Sequence, residues 1–117
     1  MDIVFWHNPR CSKSRAALAL LQERGHTPQV IDYQKTPPDA AQIRSALSKL
    51  GLPARALLRS GESVYAELGL ADEGLDEAAL VQAMATHPLL IERPLAIRGA
   101  RAVIGRPPER VLELLDD

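Results

Sequence analysis

The chain carries a single cysteine, Cys11, so no intrachain disulfide, structural or catalytic, can form. If that thiol is oxidised in turnover, a thiol from another molecule must reduce it. Aromatic side chains are scarce, four in 117 residues, so Leu, Ala, Val and Ile must build the core. No apolar run is long enough to span a bilayer and no signal-peptide pattern opens the chain, which points to a soluble cytoplasmic protein without a membrane partner. The net charge of −1 argues against a broad nucleic-acid footprint. Three scattered histidines and one cysteine make no metal-ligand cluster, and no bound cofactor is implied. The length suits one compact domain over residues 1–117.

What is present centres on His7-Asn8-Pro9-Arg10-Cys11-Ser12-Lys13-Ser14-Arg15. An apolar run from Ile3 to Trp6 reads as a strand, and Ala16 to Gly25 as a helix closed by its glycine. Pro9 sets the turn, which puts Cys11 in the first turn of the helix. Unpaired N–H groups and the positive end of the helix dipole meet there. Such a place, among cations, can bring a thiol pKa from about 8.5 to roughly 3.5–7.5. The same N–H groups can hold an incoming oxyanion. A lone cysteine is more often a small buried hydrophobe, but His7, Arg10, Lys13 and Arg15 around it favour the reactive reading. Ser14 is either a capping hydroxyl or a neighbour of the thiol one turn on; His7 is either a solvated turn residue or part of the site.

Further on, Val30 to Tyr33 reads as a second strand, giving a right-handed βαβ unit with parallel strands. Thr36-Pro37-Pro38-Asp39 looks like a helix start with its prolines in the first turn, followed by an apolar face of Ile43, Leu47 and Leu50 and a stop at Gly51. Pro53 to Leu58 and Val64 to Leu70 read as short helical pieces, and Asp76 to Thr86 as a helix burying Leu80 and Met84. Leu95–Ile97 and Arg101–Ile104 flank a hairpin turn at Arg98-Gly99-Ala100. Pro107 then opens a last helix with Val111, Leu112 and Leu115 on one face.

The loop pattern His-Asn-Pro-x-Cys-x-x-Ser-Arg resembles that of the glutaredoxin-coupled arsenate reductases, a thioredoxin-fold family. Arg55 to Arg59, Tyr65 to Leu70, His87 to Pro94 and Arg106-Pro107 are similar to that family in the same order, so the resemblance spans the chain. It implies an α/β thioredoxin-like fold: β-α-β, an inserted helical block over about residues 38–88, then β-β-α, with a mixed central sheet flanked by helices. It implies a cis peptide before Pro94, facing the cysteine. It also implies arsenate reduction through a Cys11 thiol–arsenate adduct, with glutathione as co-substrate and glutaredoxin as reductant. On this resemblance Arg59, Arg93 and Arg106 bind the anion, His7 supports the thiolate by charge or by orienting the loop, and Ser14 donates to the sulfur. Arg15 either contacts the anion or faces solvent; Arg10 and Lys13 raise the local positive potential. Two other functions stay open: a glutathione-dependent thiol oxidoreductase, and an Spx-like regulator that binds RNA polymerase.

Overall fold

In a computed structural model, which describes residues 2–115, the chain divides into two compact units. One runs up to Thr36 and resumes at Arg93; the other is Pro37–Glu92. The sheet unit holds β1 (Ile3–His7), α1 (Ser12–Glu23), β2 (Gln29–Asp32), β3 (Leu95–Arg98), β4 (Arg101–Ile104) and a C-terminal 3-10 helix (Pro108–Leu115). Its strands lie in the order β2-β1-β3-β4. β1 runs parallel to β2 and antiparallel to β3, which is antiparallel to β4, so the sheet is mixed. With a helix covering it, the central strand β1 buries Ile3, Phe5 and Trp6 rather than alternating strictly with polar residues. Phe5, Ala17, Leu21, Ala96, Val103, Val111 and Leu114 form one apolar cluster between the sheet and its helices.

The hairpin turn is tighter than the three residues expected, because Arg98 pairs with Arg101 and only Gly99 and Ala100 connect the strands. Gly99 takes φ +63°, the left-handed conformation that a two-residue turn needs at its first position. The last helix also departs from expectation. It begins at Pro108, winds as a 3-10 helix, and buries Val111 and Leu114 instead of the set Val111, Leu112 and Leu115. Three residues per turn stack i over i+3, which replaces the α-helical face with this one. Arg98 and Arg101 both donate to the Leu114 carbonyl at 2.9 Å, satisfying an acceptor at that helix end.

The helical unit contains α2 (Ala40–Leu50), α3 (Ala54–Leu57), α4 (Ser63–Glu67), α5 (Glu77–Thr86) and a 3-10 turn at Pro88–Leu90. Helix α2 begins later than its prolines suggest. Asp39 is the N-cap, bonded to Gln42 in a reciprocal capping box, and Pro37 and Pro38 precede the helix. Gly51 closes it at φ +68°. Ile43 and Leu47 are buried as expected, as are Leu80 and Met84 on α5. The Arg55 guanidinium ties α3 to the loop after α4, donating to the carbonyls of Leu70 at 2.8 Å and Asp72 at 2.7 Å.

Candidate active site

At the carboxyl end of β1 the chain turns sharply. Asn8 makes the turn: its carbonyl accepts the Cys11 N–H and its side-chain oxygen the Arg10 N–H, each at 3.0 Å. Both bonds are local, so Asn-Pro ahead of the cysteine sets this geometry from the sequence itself. Asn8 is therefore a structural part of the site that its place in the motif alone did not explain. Cys11 then stands one position before the helix, as the N-cap of α1, with extended backbone (φ −94°, ψ 121°). Its carbonyl accepts the Arg15 N–H at 3.0 Å.

The neutral thiol makes no capping hydrogen bond. Burial pushes the Cys11 pKa up, but the Ser14 N–H, the Arg93 side chain, the Lys13 N–H and the Arg106 side chain all favour the anion, and the net shift is downward. Arg106 Nη1 lies 3.8 Å from the sulfur and also donates to the Arg93 carbonyl at 2.9 Å, which fixes its position. That approach depends on Gly105. A Cβ there would lie 2.8 Å from the Pro94 ring and 2.9 Å from the Val111 side chain. The Gly105 N–H also bonds the Pro94 carbonyl at 2.9 Å. The Arg93-Pro94 peptide is cis, and so is Arg106-Pro107, which the sequence did not suggest.

His7 and Ser14 are both buried, with Nδ1 and Oγ 2.7 Å apart, and Oγ also accepts the Asn8 N–H at 3.1 Å. Two expectations change here. Burial lowers the His7 pKa, with Asp32 opposing the effect and Arg15 adding to it, which favours the neutral imidazole and a role in orienting the loop over support by charge. The Ser14 hydroxyl is engaged by His7 and Asn8, and it is the Ser14 main-chain N–H that favours the sulfur anion. Together His7 and Ser14 lock strand, turn and helix. Arg15 donates to the Pro9 carbonyl at 2.8 Å, a further clasp on the turn.

The sheet unit thus brings together Cys11, His7, Ser14, Arg15, Arg93 and Arg106. Arg59 belongs to the helical unit, where Nη1 pairs with Glu92 and Nε with Glu62 at 3.2 Å. Burial alone would lower its pKa, but these carboxylates, Glu92 foremost, raise it. Among the described residues no three His, Cys, Asp or Glu side chains gather to hold a metal ion. No helix among them is long and apolar enough to cross a membrane.

A family model described as the ArsC family matches residues 6–114 of the chain. The chain belongs to the ArsC family. Among its relatives, an arsenate reductase of Neisseria meningitidis is 47% identical over 97% of this chain and 98% of its own. An uncharacterized protein of Escherichia coli, YfgD, is 52% identical over 97% of each chain. A solved structure titled arsenate reductase from Vibrio cholerae superposes with a TM-score of 0.95 at 49% identity, covering 97% of this chain and 98% of that one. The ArsC fold, a thioredoxin-like α/β architecture, is the one expected from the loop pattern.

Proposed function

We propose that this protein reduces arsenate to arsenite through an adduct on Cys11. One observation carries the reading: the lowered thiol pKa at the start of α1, with the Arg106 guanidinium 3.8 Å from the sulfur. Groups that favour a thiolate there also suit a tetrahedral oxyanion. The ArsC relatives named arsenate reductase support arsenate as that anion.

In this mechanism the Cys11 thiolate attacks arsenic, a sulfur–arsenic bond forms, and one arsenate oxygen departs with protons as water. Arg93 and Arg106 hold the remaining oxygens and offset the charge of the displacement. The family pattern gives Arg59 an anion-binding role as well. His7 and Ser14 keep the loop in register, and Arg15 fixes the Pro9 carbonyl. With one cysteine in the chain, a second thiol must supply the other electron. The glutathione thiolate attacks the Cys11 sulfur, the sulfur–arsenic electron pair stays on arsenic, and arsenic leaves trivalent as arsenite. Two thiols give both electrons, so the reaction uses no bound cofactor. The product is a Cys11–glutathione mixed disulfide, which glutaredoxin reduces. Such chemistry suits a thiol-reducing compartment, the cytoplasm.

The test is a coupled assay with arsenate, glutathione and glutaredoxin. Arsenite should accumulate catalytically with all three present and should not accumulate without the added thiols, and Cys11→Ser should abolish it. Turnover of glutathione mixed disulfides without arsenite would make the protein a thiol oxidoreductase instead. Arsenate-independent binding of RNA polymerase without turnover would make it a regulator.

A further inference from the structure

Beside the Cys11 loop lies an open cavity of about 210 Å³, lined by Asn8, Pro9 and Arg10 and by Asp32, Gln34 and Lys35. It sits beyond the carboxyl ends of β1 and β2, two adjacent parallel strands, where open parallel sheets place their ligands. Its lining mixes both signs of charge: Arg10 and Lys35 are cations and Asp32 is a carboxylate. Asp32 Oδ1 accepts the Gln34 N–H at 3.2 Å, which holds this turn in shape. The side-chain nitrogen of Gln34 is buried and has no hydrogen-bond partner among the described residues. A buried donor of this kind calls for an acceptor.

We propose that this cavity docks the amino-acid end of a peptide thiol, the second thiol of the reaction proposed above, on which this inference rests. A zwitterionic α-amino acid matches the lining: Asp32 takes the ammonium, while the Gln34 amide, Arg10 and Lys35 take the carboxylate. The cavity is smaller than the roughly 300–1,000 Å³ of sites that enclose a drug-sized molecule. It therefore holds one end of a γ-glutamyl tripeptide. Arg10 is bonded directly to Cys11, so the rest of the tripeptide has only to follow the loop to bring its sulfur to the reacting one. Thiols without an amino-acid group gain nothing from this cavity.

The full chain carrying Cys11→Ser, titrated with S-methylglutathione, tests docking without chemistry. Backbone amide shifts are expected at Arg10, Asp32, Gln34 and Lys35. Affinity should fall about tenfold with Gln34→Glu, which presents an oxygen in place of the donor, and with Lys35→Glu on the exposed side. In turnover both substitutions should raise KM for glutathione by a similar factor and leave turnover driven by β-mercaptoethanol unchanged. Shifts that fall elsewhere, or affinity indifferent to both substitutions, would overturn the proposal. Absence of arsenite from the otherwise unaltered protein would instead overturn the arsenate reading, and the titration would still decide the cavity.

Discussion

At the start of α2 the Asp39 carboxylate accepts the Gln42 N–H at 2.8 Å, and the Gln42 side chain accepts the Asp39 N–H at 3.0 Å. At the start of α5, Asp76 accepts the Ala79 N–H at 2.8 Å. The start of α1 has the same extended backbone at the same position, but the residue is Cys11 and its thiol makes no capping bond. An N-cap oxygen is worth about 0.5–2 kcal/mol to a helix. The chain forgoes that contribution at α1, as it does at the short helices α3 and α4, and at α1 it leaves the N–H groups of Lys13 and Ser14 to act on sulfur. Among the helices of ten residues or more, α2 and α5 obey this local rule and α1 breaks it beside two arginines, as expected where chemistry outweighs stability.

The sharpest way to break this comparison is to give α1 the cap of α2. Cys11→Asp should abolish arsenate reduction and stabilise the protein by about 1 kcal/mol, read as a higher urea midpoint at unchanged slope. A destabilised Cys11→Asp protein would mean that the sulfur, and not a cap, is what that helix start needs.

Removing the cation beside the sulfur comes next. Arg106→Ala should lower kcat/KM for arsenate about ten- to hundredfold, the equivalent of one charge-assisted hydrogen bond. It should also move the pH profile of Cys11 alkylation by iodoacetamide upward. Arg106→Lys should recover only part of both, because an ammonium keeps the charge and loses the guanidinium fork. An unchanged alkylation profile would remove Arg106 from the account of the thiolate.

Gly105→Ala probes how that cation is delivered. The new Cβ meets the Pro94 ring and the Val111 side chain, both in a tightly filled region, so stability should fall by about 1–3 kcal/mol. Activity should fall with it as Arg106 is displaced. Wild-type stability with unaltered turnover would show that the neighbours yield freely.

Asp39→Ala, by contrast, should cost about 1 kcal/mol and leave the alkylation profile of Cys11 where it was.

The smallest effect is a pH dependence. The Cys11 pKa is lowered on folding, so its contribution to stability is present above the unfolded thiol pKa and is lost as pH falls through the folded one. Between the two values the unfolded chain binds more protons, and stability rises with pH. Urea midpoints of the unaltered protein and of Cys11→Ser should diverge in that sense across the window. Parallel curves would contradict a lowered pKa.

The helix starts and stops at Asp76 and Gly51, the strand before His7 and the hairpin around Gly99 were all legible in the chain, because each rests on residues within a few positions of one another. So was the turn that carries Cys11, which Asn8 and Pro9 build with local hydrogen bonds. The start of α2 is not legible in the same way, because Thr36 and Asp39 offer rival caps and only the backbone selects between them. The period of the last helix is not legible either, because it depends on the apolar cluster that Val111 and Leu114 enter, not on its own residues. The state of His7 and the direction of the Ser14 hydroxyl were hidden for a similar reason. Burial and the Asp32 and Arg15 charges decide the one, and His7 and Asn8, seven and six residues away, decide the other. The amino-acid sequence by itself singled out the candidate nucleophile, since there is one thiol and it follows a turn that ends in a helix. Only the tertiary structure decided what makes that thiol acidic. The Arg106 guanidinium comes from 95 positions along the chain, and it reaches the sulfur through a sheet register and a glycine contact that no short stretch encodes.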